Sequence, residues 1–131
     1  MALERKVDVE LEQGTPAYVR AEPALAEVLL RNIIDNAVRY SPGGTTVRVA
    51  VRTADTGVRV EVIDEGPGVP AAELRRLGQR FHRMSRTDVA GSGLGLSIVQ
   101  RIAEIHGASV SFAAGPHSTG LQVTVNFPKA G

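Results

Sequence analysis

Two valine runs constrain the fold more than any other feature of the chain. Val47, Val49 and Val51 alternate with other residues, and Val58, Val60 and Val62 repeat the pattern after Asp55-Thr56-Gly57. A side-chain period of two puts each set on one face of a β-strand, and the short link reads as a hairpin turn. A sheet with one apolar face must bury it under another layer. The cover is encoded just upstream. Leu25, Leu29, Ile33, Ala37 and Tyr40 recur at helical spacing, from Pro23 in a first turn to a stop at Ser41-Pro42-Gly43-Gly44.

The remaining elements follow the same logic. Val7-Asp8-Val9-Glu10-Leu11 alternates and predicts a strand with one buried face, and residues 17–20 predict a second short strand after Gly14-Thr15-Pro16. A short helix is expected from Pro70 to about Leu77. Residues 78–93 have no usable periodicity and read as a long loop, which inside a compact domain usually serves function. A helix from Gly95 to His106 stops at Gly107, and Val110 and Phe112, then Leu121, Val123, Val125 and Phe127, give two last strands. Most strand-to-strand links are too short for parallel crossovers. The expected fold is a two-layer α/β sandwich: a mixed, largely antiparallel sheet of about five strands packed on about three helices. At 131 residues the chain suits a single domain, 1–131.

Composition removes several chemistries. There is no cysteine, hence no disulfide, thiolate nucleophile or cysteine zinc site, and the net charge of +1 argues against bulk affinity for nucleic acid. No run reaches the roughly 18 apolar residues of a membrane span, and the N-terminus lacks a signal-peptide core. What stands out is local. Gly66, Gly68, Gly78, Gly91, Gly93 and Gly95 share one stretch with Arg75, Arg76, Arg80, Arg83 and Arg86. Glycine lets backbone N–H groups approach a ligand and arginine matches phosphate geometry, so the stretch suggests an anion site. Arg75 and Arg76, on a short helix, read as a solvated face. The arginines do not read as a nucleic-acid patch, because no aromatic except Phe81 interleaves them.

Three clusters carry possible chemistry. Asn32 and Asn36 lie four residues apart on the helical face that also holds Leu25, Leu29 and Ile33. Two carboxamides there either bond local backbone or solvent, or offer oxygens to a hard cation such as magnesium. Asp64 shares strand parity with Val58, Val60 and Val62, so its carboxylate points toward the core beside Gly66 and Gly68. It is either a base-recognising acceptor or the end of a strand at an exposed tight turn. Gly91-Ser92-Gly93-Leu94-Gly95-Leu96 directly precedes a helix, an arrangement that frees N–H groups at a positive helix end to cradle phosphate. It is neither a Rossmann fingerprint nor a P-loop.

Taken in order, Asn-Ile-Ile-Asp-Asn-Ala-Val-Arg-Tyr-Ser-Pro (32–42), Asp-Glu-Gly-Pro-Gly-Val-Pro (64–70), Arg-Phe-His-Arg (80–83) and Gly-Ser-Gly-Leu-Gly-Leu-Ser-Ile-Val (91–99) closely resemble the catalytic and ATP-binding domain of bacterial sensor histidine kinases. That domain belongs to the wider superfamily of gyrase B, the Bergerat-fold heat-shock chaperone and MutL. The resemblance runs from about Val7 to Pro128. It implies ATP and Mg2+ as cofactors, with Asn36 as the metal ligand and Asn32 beside it facing the phosphates. Arg39 and Tyr40 would contact phosphate and nucleotide. Asp64 would accept the adenine amine, with Gly66, Gly68 and Val69 shaping its pocket. Residues 78–93 would form a lid over the nucleotide, anchored by Phe81 and carrying the phosphate-facing Arg83. Gly91, Ser92, Gly93 and Gly95 would line the phosphates, with Leu94 and Leu96 packing behind.

Hydrolytic members of the superfamily carry a glutamate where this chain has Asn32, an amide of no useful basicity. The resemblance therefore implies phosphoryl transfer rather than ATP hydrolysis, with Asn32 and Arg83 in the catalytic set. The chain departs from the family pattern at Gly78, where a first lid phenylalanine is usual, and at Leu121, where many relatives have threonine. His82, His106 and His117 do not fit the phosphoacceptor motif, and His106 and His117 read as a helix end and a surface loop. The acceptor is thus expected on a dimerisation domain of the same kinase encoded before residue 1, with Met1-Ala2 an added start. The further partner implied is a cognate response regulator. The place implied is the cytoplasmic portion of an inner-membrane sensor, with no membrane contact by this segment. The alternative is a stand-alone regulatory module of the superfamily, such as an anti-sigma-factor serine kinase.

Overall fold

The computed structural model describes residues 7–12, 18–55, 57–66, 72, 94–115 and 120–129. Five strands and two helices are defined among them: β1 (Asp8–Leu11), α1 (Pro23–Tyr40), β2 (Thr46–Ala54), β3 (Gly57–Ile63), α2 (Leu94–Ile105), β4 (Ser109–Ala114) and β5 (Leu121–Pro128). The strands form one sheet in the order β1-β2-β3-β5-β4, with β1 parallel to β2 and every other pair antiparallel. This is the mixed, largely antiparallel sheet expected. The helix expected at 70–77 and the loop at 78–93 lie outside the described residues.

The valine runs do what their period requires. Val49 pairs Val62, Val51 pairs Val60, and Ala54 opposite Gly57 leaves Asp55 and Thr56 to connect β2 to β3. Val60, Val62, Val123, Val125 and Phe127 turn to one face and pack with Leu29, Ile33 and Ala37 of α1 and Val99, Ile102 and Ala103 of α2. Leu29 and Val99 are fully buried. Burying a side chain of that size stabilises by about 1.5–3 kcal/mol. The opposite face is polar. Arg52 bridges Glu61 on β3 at 3.1 Å and Glu12 beyond β1 at 3.3 Å, and Arg59 adds a longer contact to Glu61. The hydrogen bond to Glu61, followed by the charge of Glu12, raises the pKa of the Arg52 guanidinium above its already high ordinary value.

Two expectations fail at the start of the chain. β1 forms where predicted, but it has no buried face: Val9 is 51% and Leu11 67% exposed. The cause is position. β1 is the outermost strand, paired only with β2, whereas the helices pack on β2, β3 and β4. Only Val7, just before it, reaches the core cluster. Residues 18–20 form no strand.

Helix ends are closed by side chains. Glu22 caps α1 by accepting the Leu25 N–H at 2.9 Å, ahead of Pro23. At the other end Ser41 is buried, and its Oγ donates to the Ala37 carbonyl at 2.8 Å. The two helices pack on each other in the core and are also tied at one end. The Glu22 N–H donates to His106 Nε2 at 3.0 Å, while Nδ1 lies 2.8 Å from the Ile102 carbonyl. A main-chain N–H can only donate, which assigns the ring proton to Nδ1. The imidazole also meets Phe127 edge to face, with centroids 6.4 Å apart. The N-terminus of α1 is thereby fixed to the C-terminus of α2, so the helices run antiparallel.

Candidate functional site

That clasp sets where the other helix ends lie. α2 rises about 18 Å over its length, at about 1.5 Å per residue. The same rise along α1 from Glu22 reaches the neighbourhood of Asn32 and Asn36. The first turn of α2, formed by Leu94, Gly95 and Leu96, therefore lies level with the two asparagines. Its N–H groups have no intrahelical partner, and no acidic side chain occupies the turn. Tyr40 ends α1, and Arg39 lies exposed in its last turn.

Asp64 comes to the same end by a different route. It follows β3, the central strand, and the register that pairs Arg48 with Ile63 brings it level with the start of β2. β2 starts only a short loop after α1. Glu65 closes the gap, its carboxylate accepting the Thr46 N–H at 3.1 Å. The C-terminal half of α1, the turn at Asp64 and the N-terminus of α2 thus converge at one end of the sheet. The clasp lies at the other.

Parity buries Asp64, as its sequence position requires; it is 7% exposed, which excludes the exposed-turn reading. One carboxylate oxygen carries its contacts. Oδ1 accepts the Gly66 N–H at 2.9 Å and the Leu121 N–H at 3.0 Å, and the Asp64 N–H donates to the Leu121 carbonyl at 3.0 Å. Oδ2 makes no hydrogen bond to a described residue. Gly120, directly before Leu121, has φ +75°, and a Cβ there would lie 1.9 Å from the Asp64 carbonyl oxygen and 3.1 Å from Oδ1. No side chain can occupy that space, so β5 starts against Asp64 only because position 120 is glycine.

The asparagines divide the two readings open in the sequence. Both are half-buried. The Asn32 Nδ2 donates to the Val28 carbonyl at 2.8 Å, a local backbone bond, which leaves its Oδ1 as the group available to a ligand. The Asn36 side chain makes no hydrogen bond to a described residue. Among the described residues no three acidic, histidine or cysteine side chains group to hold a metal. A cation here would rest on amide oxygens and on oxygens brought by its ligand, a combination that suits magnesium held with phosphates.

Of the other candidates, Gly68, Val69, Phe81, Arg83, Gly91, Ser92 and Gly93 lie outside the described residues, as do His82 and His117. Gly66 is buried in the Asp64 turn. The family resemblance sets position 121 beside the adenine site, but sequence reasoning missed the main-chain hold of Gly120 and Leu121 on Asp64, and with it Glu65 and the distant clasp at His106. A glycine before an alternating run was the only available sign of the first. Nothing local marks the other two, since their partners are 19 and 84 residues away.

The family described as histidine kinase-, DNA gyrase B- and HSP90-like ATPase matches residues 21–131. The chain is similar to the sensor protein QseC of Escherichia coli strain K12, 46% identical over 85% of this chain and 24% of that protein. It is similar also to the sensor protein kinase PmrB of Pseudomonas aeruginosa, 36% identical over 98% of this chain and 27% of that protein. It thus spans about a quarter of the length of these relatives. Among solved structures, the mycobacterial sensor histidine kinase MprB superimposes with a TM-score of 0.73 at 28% identity, covering 98% of this chain and 84% of that one. Full-length ShkA, in complex with AMPPNP, superimposes with a TM-score of 0.78 at 29% identity, covering 98% and 27%.

Proposed function

The chain belongs to the histidine kinase-, DNA gyrase B- and HSP90-like ATPase family, and from that premise we propose that it is the ATP-binding catalytic domain of a sensor histidine kinase. One observation carries the reading. A buried carboxylate, held by main-chain donors, sits at the sheet end where two asparagines and the N-terminus of α2 also converge.

In this reading Asp64 accepts the adenine amine, beside Gly66, Gly68 and Val69. Asn36, with Asn32 facing the phosphates, would supply its amide oxygen to a magnesium ion, which neutralises phosphate charge when bound. Arg39 and Tyr40 contact the nucleotide from the end of α1. The N–H groups of Gly91, Ser92, Gly93, Leu94, Gly95 and Leu96 cradle the phosphates at the N-terminus of α2. Residues 78–93 act as the lid, with Phe81 as anchor and Arg83 on the transferring phosphoryl group. Residues 1–131 form one domain.

Asn32 cannot accept a proton from water, which favours transfer over hydrolysis. The γ-phosphorus forms a bond to an imidazole nitrogen as its bond to the bridging oxygen breaks. ADP leaves with that electron pair, and the imidazole releases its ring proton. The acceptor lies on the dimerisation domain of the same kinase; His106 does not serve, because both its nitrogens are engaged in the clasp. A cognate response regulator then takes the phosphoryl group. The relatives are sensor proteins, which favours this reading over the stand-alone regulatory module, and on this reading the chain belongs to the cytoplasmic portion of an inner-membrane sensor. Among the described residues no helix is long and apolar enough to cross a membrane.

Calorimetry tests the reading. The folded chain is expected to bind ADP saturably with magnesium, and Asn36→Ala to lose the magnesium-dependent part of the affinity while retaining its circular dichroism. Mixed with its phosphoacceptor domain and γ-labelled ATP, the chain should form acid-labile phosphohistidine. Absence of saturable ADP binding would refute the assignment.

A further inference from the structure

We infer that position 64 reads the purine through one oxygen, Oδ2, and that Gly120, Leu121 and Gly66 are the positioning residues that impose this. The inference rests on the proposed function and specifies the atom that selects the base.

A carboxylate oxygen has two acceptor sites. At Asp64 Oδ1 both are used by main-chain donors, Gly66 N–H at 2.9 Å and Leu121 N–H at 3.0 Å. The Leu121 donor is held in turn by the reciprocal bond from the Asp64 N–H to the Leu121 carbonyl. The close approach of the two segments depends on the missing side chain at Gly120. Rotating the carboxylate would exchange one oxygen for its equal, so in Asp64 the lock is invisible. It becomes visible when the two atoms differ.

Asp64→Asn makes them differ without changing shape. An amide NH2 placed on the two N–H groups would leave three donors facing each other in a buried site, which is strongly disfavoured. The Asn carbonyl must therefore take the Oδ1 place, and its NH2 must take the Oδ2 place. The site then presents a donor where it had presented an acceptor. Adenine carries an amine at its 6-position and is repelled; hypoxanthine carries a carbonyl there and is accepted. The substitution is thus expected to invert base preference rather than abolish binding. A buried site built for one hydrogen bond rejects the analogue lacking it. A bond to a charged acceptor corresponds to about 10–100-fold in affinity.

The experiment compares ADP and IDP, each with magnesium, by calorimetry on this chain. The unsubstituted chain should prefer ADP by about 10–100-fold, and Asp64→Asn should prefer IDP. Gly120→Ala should bring the two affinities within about threefold, because a displaced Asp64 no longer aims Oδ2. A merely structural role for Gly120 would weaken both nucleotides equally and keep their ratio. If Asp64→Asn keeps the ADP preference, loses both nucleotides or fails to fold, the one-oxygen lock is wrong while nucleotide binding stands. If Gly120→Ala folds and keeps the ratio, its positioning role is wrong. Failure of the unsubstituted chain to bind ADP refutes the proposed function instead.

Discussion

Replacing His106 with alanine separates what holds the helices together from what binds a ligand. The substitution removes the Nδ1–H bond to Ile102, the acceptor for the Glu22 N–H, and the edge contact with Phe127. Each hydrogen bond is worth about 0.5–1.5 kcal/mol net, and an aromatic edge contact about the same. The Glu22 N–H lies at an exposed position and can rehydrate, so the lower half of each range applies. The expected loss is about 1.5–3 kcal/mol. For a domain of this size that lowers Tm by roughly 5–15 °C. Urea denaturation and thermal melts measure it. ADP affinity, measured well below the new Tm, should change less than about twofold, because the clasp and Asp64 lie at opposite ends of the sheet. Loss of under 0.5 kcal/mol would mean that the clasp does not bind the helices. A tenfold loss of ADP affinity in a fully folded variant would refute the separation of the two ends.

Two further substitutions probe the layers. Leu29→Ala, at a fully buried position beneath the sheet, should cost about 2–5 kcal/mol in urea denaturation, the range for a core leucine whose cavity only partly collapses. Leu11→Thr should cost less than about 0.5 kcal/mol in the same assay, since Leu11 is 67% exposed; a core-sized loss would show that the outer strand is covered after all.

Legibility in the sequence followed the range of the interactions. α1 begins and ends where Pro23 and Ser41 announce it, because caps and turn residues act within one helical turn. The pairing of β2 with β3 follows from two valine runs and a short link. The burial of Asp64 follows from counting by two along β3. Each is a local periodicity that the backbone must obey.

What the sequence could not carry is which faces find a cover and which distant groups meet. The alternation at Val7–Leu11 is as clean as that of β3, yet β1 stays exposed, because only strand order decides that the helix layer stops short of it. That Asn32 spends its Nδ2 on the Val28 carbonyl and leaves its Oδ1 over was visible only in the folded chain. His106 looked like a plain helix end until the fold brought Glu22 to its ring. So the amino-acid sequence by itself determined most of the described elements, the inward faces of α1, β3 and β5, and the identity of the chemical groups. The tertiary structure alone decided which segments bring Asp64, the asparagines and the start of α2 to one end, and that Gly120 lets Leu121 reach one oxygen of Asp64. Those outcomes depend on contacts between segments far apart in the chain, and residue spacing carries no information about them.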